Sequence, residues 1–117
     1  MRKIVVIGAG AAGLAAATRA RRFDSQAQIT VLEGSREYSR GTCSLPYYVA
    51  GELDSARGLV GISRPALAER RIELRLESRV TSIEPVARRV HLAHQSLDFD
   101  RLIVSTGSCS RRVPMIS

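Results

Sequence analysis

Four consecutive apolar residues near the start of the chain, Ile4-Val5-Val6-Ile7, run directly into Gly8-Ala9-Gly10-Ala11-Ala12-Gly13. An unbroken β-branched run reads as a strand covered on both faces in a parallel sheet. In the glycine segment, the first glycine makes a tight turn and the second leaves room for a pyrophosphate beside the backbone. The third lets the following helix pack closely. Ala11 to Arg22 predicts that helix, with Arg19, Arg21 and Arg22 late, where cations suit its C-terminal dipole end. Ile29 to Leu32 predicts a second buried strand with Glu33 at its tip, about twenty residues beyond the glycines, the spacing of a ribose-binding acid. Glu33 would accept from a ribose hydroxyl and repel a 2′-phosphate. On this motif alone FAD and NAD both fit, and NADP does not.

Beyond Glu33 the chain is polar and irregular up to Thr42. Cys43 to Ala50 predicts a short helix in which Pro46 occupies the tolerant first turn, and Gly51 ends it. Ser63 to Arg70 predicts another, with Ser63 as N-cap and Pro65 in the first turn. From Ile72 the apolar period becomes two: Ile72-Leu74-Leu76, Val80 and Ile83, then Val90 and Leu92 after a turn near Glu84-Pro85-Val86-Ala87, then Leu97 and Phe99. That alternation predicts a β-meander apolar on one face. Arg101-Leu102-Ile103-Val104-Ser105 predicts a return to a buried strand, ending at Thr106-Gly107. The fold class expected is therefore α/β and Rossmann-like. A parallel sheet carries helices on one side and the meander on the other, with Ile4–Ile7, Ile29–Leu32 and Leu102–Val104 at its centre.

With 117 residues, one compact domain is expected. The formal charge is +7, carried by 17 arginines and one lysine. Basic runs are no longer than two residues and aromatic residues are few, so a nucleic-acid surface is not expected. No apolar stretch approaches the ~20 residues of a bilayer-spanning helix, and no secretory signal pattern opens the chain. Two cysteines far apart in sequence suggest neither a disulfide framework nor a metal cluster, and a reducing, cytoplasmic setting is expected. His91 and His94 have no partner at ligand spacing and read as surface residues.

Cys43 falls at the start of a predicted helix, where the dipole and free N–H groups stabilise a thiolate, and Arg40 is close by in sequence. A small buried hydrophobe is an equal alternative on placement alone. Cys109, among serines and arginines in an apparent loop, reads as incidental. Tyr47 and Tyr48 suit either a pocket lining or the core.

The run Ser39-Arg40-Gly41-Thr42-Cys43-Ser44-Leu45-Pro46-Tyr47-Tyr48 resembles the S-x-x-x-C-x-[LI]-P-Y signature of the single-cysteine flavoprotein disulfide reductases. These include the coenzyme A disulfide reductases, the persulfide and polysulfide reductases, and the NADH oxidases and peroxidases. The glycine motif, Glu33 and Asp100 to Gly107 are similar to the same family's FAD domain. The resemblance implies FAD held by Gly8, Gly10, Ala12 and Gly13 at the pyrophosphate and by Glu33 at the ribose. Val80, Ser105, Thr106 and Gly107 would lie along it, and Cys43 would be the redox sulfur. It further implies coenzyme A contacts at Arg19, Arg22, Ser39 and Thr42, whereas Ala15 departs from the pattern in being unable to hydrogen-bond. Peroxidase relatives carry histidine at the position of Gly10. NADH would be bound by a second domain, the whole enzyme would be a homodimer, and residues 1–117 would be the N-terminal part of its FAD-binding domain. A truncated non-catalytic remnant or interaction module without flavin is the alternative from another class; an NADH oxidase-type relative is the alternative within the family, and an ordinary NAD-binding Rossmann domain would leave Ser39 to Tyr48 unexplained.

Overall fold

The computed structural model describes residues 1–36, 38 and 62–107. Strand β1 (Lys3–Ile7) leads into helix α1 (Ala11–Phe23), then β2 (Gln28–Leu32), α2 (Arg64–Glu69) and β3 (Ile72–Arg75). Three short strands follow, β4 (Ser82–Glu84), β5 (Arg89–His91) and β6 (Ser96–Asp98), before β7 (Arg101–Val104). The parallel sheet has the order β3-β2-β1-β7, and β4-β5-β6 form a separate antiparallel sheet.

Strand β1 is central because its side chains are apolar on both faces. Ile4 and Val6 join Leu14, Ala17 and Leu67 from the helices in one buried cluster. Val5 and Ile7 point the other way and join Val90 and Phe99 of the meander region. The period of two along a strand thus divides one residue run between two cores. Helices on one side and a meander on the other is the arrangement observed.

Helix α2 is fixed by its sequence-encoded start: the Ser63 hydroxyl accepts from the Ala66 N–H, and a proline sits in its first turn. Leu67, 1% exposed, anchors the helix to the sheet. The end of α1 is tied down by Arg21. Its guanidinium donates to the carbonyls of Asp24 and Ala27 and, across the chain, to those of Arg70 and Arg71.

Two expectations are corrected. The alternating run from Ile72 is not the start of the meander. Ile72–Arg75 pairs in parallel with β2 and is the outer strand of the main sheet, whereas the meander is confined to residues 82–98. An edge strand with one face on the helices alternates just as a meander strand does, so the pattern cannot separate them. The second correction concerns Leu102–Val104, which is not part of the buried centre. Leu102 and Ile103 are half-buried and Val104 is 58% exposed, and among the described residues β7 pairs with β1 on one side only. Val80 and Leu76 lie outside any strand, although both pack on a core cluster. The predicted helix Cys43–Ala50 lies outside the described residues.

Leu67→Ala should lower the unfolding free energy by about 2–4 kcal/mol, because the cavity would open between α2 and the sheet. Val86→Ala, at a fully exposed turn position, should change it by less than ~0.5 kcal/mol. Equilibrium urea unfolding of both variants checks the contrast.

Candidate functional site: the cleft at the strand ends

The ends of β1, β2 and β7 meet at Gly8, Glu33 and Ser105. Gly8 N–H donates to the Leu32 carbonyl at 2.8 Å, and Ser105 N–H donates to the Ile7 carbonyl at 2.8 Å. The Ser105 hydroxyl reaches the carbonyls of Ile7 and Gly8 at 2.9 and 3.3 Å. Gly8 has φ +102°, and a methyl there would stand 2.1 Å from the Ser105 carbonyl oxygen. Both the dihedral and the contact require glycine. At Gly13 the reason is contact alone, since a methyl would lie 1.8 Å from the Gly8 carbonyl oxygen.

Gly10 differs from both. Its φ of −78° is open to any residue, and a Cβ would meet no atom of the other described residues within 4 Å. Among the described residues, the space beside it is clear. Gly10 is also the N-cap of α1, with no side-chain cap and no acidic residue in the first turn. The first N–H groups of a helix lack intrahelical acceptors, and the dipole makes that end attractive to anions. An open backbone surface at an uncapped N-terminus suits a phosphate. Ala12 is exposed on the same first turn.

Glu33 closes the other side. One carboxylate oxygen accepts from the Ala9 N–H at 2.8 Å, and the other accepts from the N–H and hydroxyl of Ser35 at 3.1 and 2.9 Å. Partial burial would by itself push its pKa up. The hydrogen bonds from Ala9, Ser35 and Gly34 together outweigh that and hold it below the ordinary glutamate value. Glu33 is thus anionic at neutral pH, and its Ala9-bonded oxygen retains acceptor capacity for a hydroxyl.

A cleft of about 420 Å³ opens at these strand ends, lined by Gly8, Glu33, Ser35, Arg79, Val80 and Thr106 among others. The β2–β3 pairing continues into it: Glu33 N–H donates to Arg75 O, Glu77 N–H to Ser35 O, and Ser78 N–H to Glu33 O. That ladder carries residues 78–80 beside Glu33. Ser78 and Arg79 are lining residues that sequence patterning missed, because neither belongs to a motif.

Of the residues expected at the site, Gly8, Glu33, Val80 and Thr106 line the cleft, Gly13 and Ser105 pack against Gly8, Gly10 and Ala12 open α1 next to them in sequence, and Gly107 follows Thr106 with φ +75°. Arg19 and Arg22 lie apart from this cleft, exposed toward the C-terminal end of α1, and the Arg19 guanidinium stands 5.0 Å from the centre of the Phe23 ring. Cys43, Ser39, Thr42 and Cys109 lie outside the described residues. His91 sits 3.2 Å from Glu84 on the meander, away from the cleft. No helix among the described residues is long and apolar enough to cross a membrane.

A parallel sheet whose central strand ends in this glycine turn, with an acid at the tip of the next strand, defines a Rossmann-like dinucleotide-binding domain. The chain belongs to the pyridine nucleotide-disulphide oxidoreductase family, whose pattern matches residues 2–117. It is similar to the NAD(P)H coenzyme A polysulfide/persulfide reductase of Pyrococcus horikoshii, with 30% identity over 98% of this chain and 26% of that protein. With the coenzyme A disulfide reductase of Staphylococcus haemolyticus it shares 29% identity over 92% of this chain and 26% of the relative. Among solved structures, the NAD-dependent persulfide reductase from A. fulgidus superposes with TM-score 0.89 and 35% identity, covering 96% of this chain and 22% of that one. The chain spans about a quarter of the length of the curated relatives it matches.

Two substitutions separate folding from binding. Gly13→Ala should destabilise the domain by at least about 2 kcal/mol, because a backbone carbonyl stands where the methyl must go. Gly10→Ala should leave the melting temperature nearly unchanged yet remove dinucleotide binding. Thermal melts paired with FAD titration check both. Glu33 gives a pH signature: a depressed folded-state pKa means its stabilising effect is complete above the ordinary value of ~4.3 and is lost as pH falls below it. Glu33→Gln should therefore show a shallower loss of stability between about pH 5 and 3 than the parent chain, measured by urea unfolding across that range.

Proposed function

We propose that residues 1–117 form the N-terminal part of an FAD-binding domain in an NADH-dependent flavoprotein reductase. The substrate class is coenzyme A disulfide, a persulfide or a polysulfide, and Cys43 is the redox sulfur. The observation that carries the flavin reading is the space at Gly10, clear among the described residues, above an uncapped helix end that follows directly on Gly8, which shares its cleft with an ionised Glu33. An adenine dinucleotide fits that donor set: pyrophosphate against the backbone of Gly8, Gly10, Ala12 and Gly13, ribose against Glu33, and the chain of the cofactor along Val80, Ser105, Thr106 and Gly107. Glu33 disfavours a 2′-phosphate, which suits FAD. The Ser39 to Tyr48 segment favours a disulfide reductase over a plain NAD domain, and relatives named for coenzyme A disulfide and persulfide substrates support the substrate class.

In this reading the Cys43 thiolate attacks one sulfur of the substrate disulfide. A Cys43–substrate disulfide forms, the original S–S bond breaks, and one thiolate leaves. A pair of electrons then splits the mixed disulfide, restoring the Cys43 thiolate and releasing the second thiolate. Both released thiolates take protons from solvent. Bound flavin would supply that electron pair, drawn from NADH held by another domain of the whole enzyme. Arg19 and Arg22 would meet the phosphates of coenzyme A, with Ser39 and Thr42 hydrogen-bonding nearer the sulfur. The whole enzyme would be a cytoplasmic homodimer.

Flavin binding is tested first. The chain, incubated with FAD and desalted, should retain stoichiometric yellow colour, and a colourless eluate would overturn the flavin reading. The activated sulfur is tested by alkylation against pH in FAD-bound protein, using Cys109→Ser and Cys43→Ser to isolate each thiol. Cys43 should react with a midpoint below the ~8.5 of an ordinary thiol, and Cys109 near it. A Cys43 midpoint at or above that value would contradict its role.

A further inference from the structure

The ionised carboxylate of the cleft has a cation on the same wall. Arg79 lines the cleft beside Glu33, Gly34 and Ser78. Among the described residues no carboxylate or carbonyl accepts from its guanidinium, in contrast to Arg21, which donates to four carbonyls, and Arg89, which pairs with Asp98. Its place follows from the backbone. The bonds from Ser78 to Glu33 and from Glu77 to Ser35, 2.8 and 2.9 Å, hold this segment against residues 33–35. A methyl added at Gly34 would lie 3.6 Å from Arg79 Cβ and 3.7 Å from its Cγ. The aliphatic stem thus lies along Gly34, and the side chain reaches the cleft from the Glu33 side.

We propose that Arg79 is a positioning residue for the adenine of the bound dinucleotide, its guanidinium plane resting against the purine face. The inference rests on the reading of this cleft as the adenosine end of an FAD site. The glycine turn accounts for the pyrophosphate and Glu33 for the ribose, which leaves the purine to be held by whatever lines the cleft beyond Glu33. Residues 78–80 are that wall. A guanidinium is planar and weakly hydrated, and it stacks on aromatic faces where an ammonium does not match the shape. Glu33 lines the same cleft, so the purine would meet a flat cationic surface in a cleft that also carries a carboxylate. Arg79 is therefore a determinant of adenine recognition independent of the phosphate contacts.

The test uses the full chain and isothermal titration with two probes, ADP and inorganic pyrophosphate. Arg79→Met keeps the stem on Gly34 and removes the plane, and Arg79→Lys keeps the charge and removes the plane. Arg2→Met, at the opposite end of β1, matches the change in net charge. Both Arg79 variants should bind ADP about three- to thirtyfold more weakly than the parent chain, with pyrophosphate binding and melting temperature unchanged and Arg2→Met behaving as the parent. ADP affinity retained in Arg79→Met would overturn the proposal. Full retention in Arg79→Lys would overturn the planar contact. An equal loss for pyrophosphate would also overturn it, in favour of general attraction to phosphate. If the parent chain binds pyrophosphate but gains nothing from ADP, the adenosine reading of the cleft fails, and this inference with it.

Discussion

The close approach of Gly8 to Ser105 governs the geometry of everything around it. Three segments converge there: the end of β1, the first turn of α1 that follows it directly, and the end of β7 from nearly a hundred residues away. A backbone carbonyl occupies the place of a Gly8 side chain, and the Gly8 carbonyl in turn occupies the place of a Gly13 side chain. The Ser105 hydroxyl bonds to the same carbonyls. Such a junction leaves no freedom to shift the helix relative to the sheet. Its result is a helix N-terminus at the strand ends, with Gly10, unblocked by the described residues, at its mouth.

Electrostatics complete what sterics begin. The chain places no acid in the first turn of α1, so the helix end is not neutralised from within. Glu33 instead sits across the cleft and is held ionised by the N–H groups of Ala9, Gly34 and Ser35, against the cost of its partial burial. The same carboxylate braces the glycine turn through Ala9. On the proposed reading of the cleft, folding and ligand recognition would share this one group.

Much of this was legible in the residues. The β-branched run Ile4–Ile7 encoded a doubly covered strand, the glycine spacing encoded the turn, and Ser63 with Pro65 encoded the start of α2. Strand β3 was misplaced because alternation reports a two-sided strand and not the sheet to which it belongs. Burial of Leu102–Val104 was overestimated because an apolar run carries no information on whether a strand has one neighbour or two. Arg79 and Ser78 entered the site through register, since the β2–β3 ladder continues past the last strand residue into the cleft, and register cannot be read from one strand alone. Arg21 looked like one of three late-helix cations, yet its geometry makes it a clamp on four carbonyls while Arg19 and Arg22 stay exposed.

We propose that the cleft lined by Gly8, Glu33–Ser35, Ser78–Val80 and Thr106, together with the neighbouring first turn of α1, holds an adenine dinucleotide. The most direct test is an amide-resolved NMR titration of the chain with FAD. Saturable shifts are expected on Ala9 to Gly13, Gly34, Ser35, Arg79, Val80 and Thr106, with the meander amides of Arg89–His91 and Ser96–Asp98 undisturbed. Saturable shifts centred on the meander or on the exposed face of α1, with the glycine turn silent, would contradict it.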